Sequence, residues 1–405
     1  MPASPASSSA AGVPFGAPPR FLLPVILCVS ALTVMASATI APSLPGLADH
    51  YADVPNADAL VRLVLTIPGL AIAVAAPFVG WLTDRVGRKR VIVAAVLLYA
   101  LAGSAGLVLD SIGALLASRV VLGLAVAGLL PSATALIADY FHGAARDRAY
   151  GTQAAFMAGG GVVFLPLGGI LAEFSWRGPF LVYATALLLV PFVITVIRDA
   201  GPRASAPGEA ALDAGPFPLM LAAGVFVTAF LGMAVFYALP VQLPFLLREL
   251  GSPSPWLAGA GLAINTALSA VTSLNFRHFR ARLSSRGILA LSFLLIGIGY
   301  VVIALSSSVT MALLGLVFSG PGLGLMFPAL STWLMSATPA RFRGRATGSM
   351  TTAVFLGQFM SPLLAQPILV GFGLPAVFFA GAGVSVLFAV LLATLAAGDA
   401  RRAGG

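Results

Sequence analysis

Between Gly80 and Arg90 the chain reads GWLTDRVGRKR, which places Gly80, Asp84, Arg85, Gly87, Arg88 and Lys89 in one short stretch. Such a set is suited to electrostatic latching rather than to making or breaking covalent bonds. A carboxylate at Asp84 can meet the positive N-terminal end of a helix. Arg88 and Lys89 can pair with an acid such as Asp139, and glycine at position 80 lets another helix come close. A second feature is Arg119, about eight residues into an apolar run and some 12 Å deep at 1.5 Å per residue. A guanidinium at that depth of a bilayer costs at least about 2.5 kcal/mol. It either snorkels to the surface or faces a wet pathway, and the depth favours the pathway. A pathway with that cation and no acid would suit anionic or zwitterionic solutes.

Polar side chains recur along other apolar runs. Ser30, Thr33 and Ser37 stand at i, i+3 and i+7, and Asn265, Ser269 and Thr272 form a similar stripe; Tyr237, Gln242 and Gln358 add to them. Any one Ser or Thr is better explained by a helix–helix hydrogen bond of about 0.6 kcal/mol. As stripes on one helical face they favour the wall of a cavity. No nucleophile–base pair or buried acid–histidine cluster stands out, so an enzyme is the weaker reading. The single cysteine, Cys28, excludes an intrachain disulfide and a cysteine metal cluster. No G-x-x-x-x-G-K-[ST] loop is present, so no nucleotide or other cofactor is expected, and the energy source would be a gradient.

The elements that hold these residues follow from composition. Charged residues are 9% of the chain, against roughly 25% in a soluble domain, and mean hydropathy is +1.02. Too little charge is present to cover a water-facing surface, so lipid must be the outer solvent. A bilayer core about 30 Å thick takes roughly 20 apolar residues per helix. The apolar runs are continuous rather than alternating, which selects helices over a barrel. About twelve spans are predicted, near 21–44, 57–83, 88–108, 111–139, 148–172, 177–197, 217–240, 254–275, 287–306, 309–336, 346–370 and 373–396. The expected fold class is an all-α membrane protein of two pseudo-symmetric six-helix bundles, 20–199 and 216–397. A disordered tail over 1–19, a Pro/Gly/Ala-rich linker over 200–215 and a short tail over 398–405 complete the chain.

Charge sorting fits this map. Of 22 Lys and Arg residues, eighteen fall on the side of the two termini, Arg62, Arg177 and Arg248 fall on the other, and Arg119 lies within a span. The excess of basic residues on one side marks the cytoplasmic face, so both termini are expected there, and the net charge of +9 requires no nucleic acid. Asp49, Asp53, Asp58, Asp110, Glu173 and Glu249 map to outer ends, and His50, His142 and His278 to loops. An internal repeat supports two halves. Pro131, Arg146, Arg148, Ala149 and Gly151 recur as Pro328, Arg343, Arg345, Ala346 and Gly348, each displaced by the same 197 residues. Repeated halves place a transporter's substrate site at their interface near the midplane.

The stretch from Gly80 to Lys89 resembles the signature loop of the major facilitator superfamily: Gly, three residues, Asp-Arg, any residue, Gly, then a basic cluster. It lies between the second and third spans, where that family carries it, and the twelve-span layout extends the likeness over nearly the whole chain. The resemblance implies that Gly80, Asp84, Arg85, Gly87, Arg88, Lys89 and Asp139 latch a cytoplasmic gate. The corresponding stretch of the second half, NFRHFRARLSSRG, lacks the Asp and the glycine spacing. Arg119 with Gly123 is similar to a family pattern in the fourth helix. Proton-coupled members keep a mid-membrane carboxylate, and none falls there in this chain, which argues against proton coupling.

The fifth span, GGGVVFLPLGGILAE, is near the Gly-Pro, two residues, Gly-Gly pattern of drug-exporting members. Leu165 replaces its first glycine, and one residue separates Pro166 from Gly168. Pro42-Ser43-Leu44-Pro45 also resembles that branch. The expected function is a monomeric secondary transporter in a bacterial inner membrane, exporting a small organic solute by alternating access, with a proton as the candidate coupling ion. Substrate contacts are expected from Arg119, Ser30, Thr33, Ser37, Tyr237, Gln242, Asn265, Ser269 and Gln358. The alternative is a facilitator or symporter for an organic or lipid-like anion anchored by Arg119; a non-transporting receptor is the weakest reading.

Overall fold

A computed structural model of the protein describes residues 19–198, 219–252, 254–336, 338–339 and 342–404. The expected linker over 200–215 and the tail up to residue 18 lie outside the described residues. Twelve helices among the described residues are long and apolar enough to cross a membrane. They are α1 (Leu22–His50), α2 (Ala57–Val86), α3 (Arg88–Leu107), α4 (Ile112–Tyr140), α5 (Gly143–Phe174) and α6 (Gly178–Val196). The second set is α7 (Leu219–Glu249), α8 (Pro255–Leu274), α9 (Ser285–Ala304), α10 (Val309–Ser336), α11 (Arg343–Phe372) and α12 (Leu374–Gly404).

Most boundaries fall within a few residues of the hydropathy runs; α7 departs from them. The expected stop at Pro240 is overrun, and the helix continues through Pro240 and Pro244 to Glu249. A proline inside a helix removes one backbone hydrogen bond, and in a membrane neighbouring helices re-satisfy the freed carbonyl. Pro131 and Pro328 likewise sit inside α4 and α10. Gly87 ends α2 and opens α3 with φ of 97°. That left-handed backbone is what glycine tolerates without steric cost.

One buried apolar cluster runs through the first half and on into part of the second, and a smaller one lies within the second half. In the first half, α1 packs on α4 and α5, and α3 on α4 and α6; in the second, α9 packs on α10 and α12, and α7 on α11. The halves meet along two helix pairs, α2 with α11 and α5 with α8. Both pairs touch at one end and part at the other. On α2, a Cβ added at Gly69 would come 2.9 Å from the Phe355 carbonyl of α11. Gly80 lies eleven residues on, three turns down the same face, and a Cβ there would meet nothing within 4 Å. On α5, a Cβ added at Gly169 would come 2.9 Å from the Pro255 carbonyl of α8; at Gly151, five turns away on the same face, it would meet nothing within 4 Å. The molecule is a V that closes on the face carrying Asp49, Glu173 and Arg248. It opens towards the face carrying Arg85–Arg90, the basic face.

Candidate substrate pathway

The stretch from Gly80 to Lys89 sits at the open end. Arg88 Nε lies 2.9 Å from Asp139 Oδ2, and both side chains are largely buried, so the anticipated pairing of the start of α3 with the end of α4 is formed within one half. The Arg85 guanidinium stacks on Trp81 at 4.1 Å and is exposed. Lys89 and Arg90 line a recess of about 710 Å³ with Arg198. The side chain of Asp84 lies outside the described residues. The close approach expected at Gly80 is not made in this conformation: a Cβ there would meet nothing within 4 Å.

The predicted substrate residues divide into three groups. Ser30 and Asn265 act inside their own halves. Gln153 Nε2 of α5 donates to Ser30 Oγ at 2.8 Å, and Ser30 Oγ donates to the Ile26 carbonyl. Asn265 Nδ2 donates to Ser319 Oγ of α10 at 2.8 Å. Thr33 is tied to its own helix through the Ser30 carbonyl, and the Ser269 backbone packs against Gly324 of α10. Ser37, Tyr237, Gln242 and Gln358 instead meet the opposite half. Ser37 lies beside the Tyr237 side chain, Gln242 contacts α2, and the Gln358 side chain lies against Gly69, 3.2 Å from where a Cβ would stand.

Arg119 requires a second correction. It is fully buried, but within the first half. Its Nη2 donates to the carbonyls of Ala102 and Gly103, at 2.5 and 2.7 Å, and its guanidinium lies over the rings of Phe180 and Tyr183. Those carbonyls belong to the last α-helical turn of α3, which ends at Ser104 before a short 3-10 turn, the negative end of a helix dipole. Backbone oxygen and two π faces therefore replace the solvent that the charge lost. Gly103 makes room for Tyr183: a Cβ there would come 2.5 Å from the Tyr183 Cβ.

The cation that does cross between halves is Arg62, which sequence reasoning left as an outer-end charge. It is 4% exposed. Arg62 Nε donates to Gln242 Oε1 at 3.0 Å, Nη1 donates to the Asp58 carbonyl at 2.7 Å, and the guanidinium stacks on Phe245 at 4.3 Å. Two more polar links close the same face. Arg248 Nη1 donates to both carboxylate oxygens of Asp49, at 3.0 and 2.8 Å. Glu173 Oε1 accepts from Ser254 Oγ and from the backbone N–H of Trp256. A pocket of about 270 Å³ remains between these links, lined by Pro42, Pro45, Asp49, Pro244, Arg248 and Ser254. The signal for Arg62 was available in its position five residues into a span, four after Asp58. An apolar recess of about 720 Å³ opens between α1, α5 and α6, lined by Cys28, Leu32, Phe156, Gly160, Phe164 and Leu188 among others. Cys28 therefore lines a crevice and is half-buried, rather than packed in the core.

The family model of the Major Facilitator Superfamily matches residues 26–362, with a second match over 225–404. The quinolone resistance protein NorA of Staphylococcus aureus (strain MRSA252) is 27% identical over 162 residues, 40% of this chain and 42% of that protein. The match thus spans less than half the length of that relative. The multi-drug resistance efflux pump PmrA of Streptococcus pneumoniae serotype 4 is 24% identical over 326 residues, 78% of this chain and 81% of that one. Among solved structures, a bacterial homolog of the human lysosomal transporter Spinster, inward-facing and unoccupied, superposes with a TM-score of 0.74 at 20% identity. That alignment covers 93% of this chain and 95% of that one, and it shows the fold. The twelve spans in two halves, the loop from Gly80 to Lys89 and the family match together make this chain a member of the Major Facilitator Superfamily, a transporter rather than an enzyme.

Proposed function

We propose that the protein is a secondary transporter that exports small organic solutes by rocking its two halves about the α2–α11 and α5–α8 contacts. The observation that carries this reading is the V: the same helix pairs touch at one end and part at the other. Rotation about those contacts would close one face while opening the other, as alternating access requires. With the basic face taken as cytoplasmic, the conformation described is open inward and sealed outward by Arg62–Gln242, Arg248–Asp49 and Glu173–Ser254. NorA and PmrA, named for drug resistance and efflux, support export over uptake. The apolar recess beside α1 is consistent with solutes that partition into lipid.

The alternative, an organic anion as the solute, loses its anchor at Arg119 but gains one at Arg62. Purified protein in liposomes, loaded with a lipophilic fluorescent dye, tests the main reading. Saturable, protein-dependent dye movement is the expected result, and its absence for a broad dye panel would end the proposal. Repeating the measurement under an imposed pH gradient decides the coupling ion: flux indifferent to that gradient excludes proton antiport.

A further inference from the structure

Building on the alternating-access reading, we propose that Arg62 recognises an anionic group on the transported solute. Gln242 Oε1 holds the place of that group's oxygen while the non-basic face is closed. Arg62 sits at the interface of the halves, is almost fully buried, and makes its cross-half hydrogen bond to a neutral amide. Among the described residues no buried acid balances it. The Asp58 carboxylate is 3.4 Å away but 74% exposed, and Glu249 is the other acid whose charge it feels. A guanidinium whose cross-half acceptor is neutral, and whose paired carboxylate is exposed to solvent, gains by trading that acceptor for an anion, because charge-assisted hydrogen bonds are roughly twice as strong as neutral ones. Arg119 offers no such exchange, since its acceptors are backbone carbonyls fixed in α3.

The surrounding groups point the same way. Gln242 Nε2, Gln358 Nε2 and Thr66 Oγ1 are buried without a hydrogen-bond partner. Arg62, Thr66 and Gly69 follow one another at i, i+4 and i+7 along α2, a stripe about 10 Å long. Gln242 meets its upper end and Gln358 its lower end. Unpartnered buried polar atoms are costly and call for a reason. Here one reason covers all of them, because each stands where the halves separate and turns into the pathway when they do. The assembled chemistry is donor-rich: a guanidinium, two amide NH₂ groups and a hydroxyl. It matches an acceptor-rich anion such as a carboxylate or sulfonate on an apolar body, and it discriminates against an ammonium.

A matched trio of probes tests this: 1-naphthoate, the neutral 1-naphthamide and the cationic 1-naphthylmethylammonium. Binding to purified full-length protein is measured by calorimetry, and exchange of the same probes is measured in liposomes. The wild type should bind naphthoate about tenfold or more tighter than the amide. Arg62→Gln should reduce that preference to within about twofold while leaving amide binding in place, and Arg62→Lys should restore part of it. Gln242→Glu supplies a permanent carboxylate beside the guanidinium and should also abolish the preference, which keeps the test decisive if Arg62→Gln fails to fold. A wild type indifferent to charge, or variants that keep the naphthoate preference and so leave Arg62 a gate latch only, overturns the inference. Exchange of probes without anion preference would sink the anion site and leave the transporter. Anion preference without exchange of any probe would sink transport and leave the site.

Discussion

Arg119 and Arg62 carry the same guanidinium into the membrane interior, yet what surrounds each assigns it a different task. Arg119 caps the last α-helical turn of α3 inside one half, with Phe180 and Tyr183 across its plane. Arg119→Ala removes a buried charge-assisted pair of hydrogen bonds and leaves two α3 carbonyls unpaired, a loss of about 2–4 kcal/mol. Purified Arg119→Ala should therefore melt several degrees lower in detergent, while flux per folded molecule stays near wild type. A variant of unchanged melting temperature that has lost flux would return Arg119 to the pathway. Depth in a span is legible from sequence, but the direction in which a side chain leaves its helix is not. That is why depth pointed to Arg119, although it is Arg62 that reaches the opposite half.

At the scale of helices, glycine decides how the halves meet. Gly259 of α8 faces the Leu165 carbonyl of α5, where an added Cβ would stand 2.5 Å away. Backbones that approach this closely hold two helices together through packing rather than through the hydrophobic effect, which lipid does not supply. Gly259→Val should wedge α5 from α8 on the non-basic face and shift the population towards opening there. Spin labels at Asp53 and Ser307, exposed on that face in opposite halves, should report a longer distance in the variant; an unchanged distance distribution would mean that this contact does not hold the face closed. The Arg248–Asp49 link matters less for stability than the glycine contacts. Arg248 and Asp49 are both exposed, and such a pair contributes about 0–1 kcal/mol. High salt should weaken it without opening the face, as the same label pair can show.

For the whole molecule, the V and the asymmetric charge make one joint prediction. Cysteines placed at Arg88 and Arg343, in a Cys28→Ser background, should react with a membrane-impermeant maleimide from the same side of sealed vesicles. Both flank the open end of the V, at the starts of α3 and α11. Reaction from opposite sides would break the pairing of the halves. Replacing Asp84 with Ala should slow transport at least several-fold while the protein still inserts, if the loop from Gly80 to Lys89 latches the basic face in the other conformation. Wild-type flux in that variant would remove the latch.

The amino-acid order alone determined the solvent, the number of spans and the division into halves. Each rests on a one-dimensional quantity: run length against bilayer thickness, the sorting of 21 cations to two sides, a displacement of 197 residues. It also placed Arg88 with Asp139, because a loop of one residue between α2 and α3 leaves Arg88 little choice of level. Tertiary structure decided which polar groups face which half. Ser30 and Asn265 turned inward to Gln153 and Ser319, whereas Arg62, Gln242 and Gln358 turned towards the opposite bundle. In lipid the apolar faces of a helix are nearly equivalent as solvent contacts, so hydropathy does not fix rotation about the axis. Close glycine contacts and paired polar groups fix it, and both require knowing the neighbour.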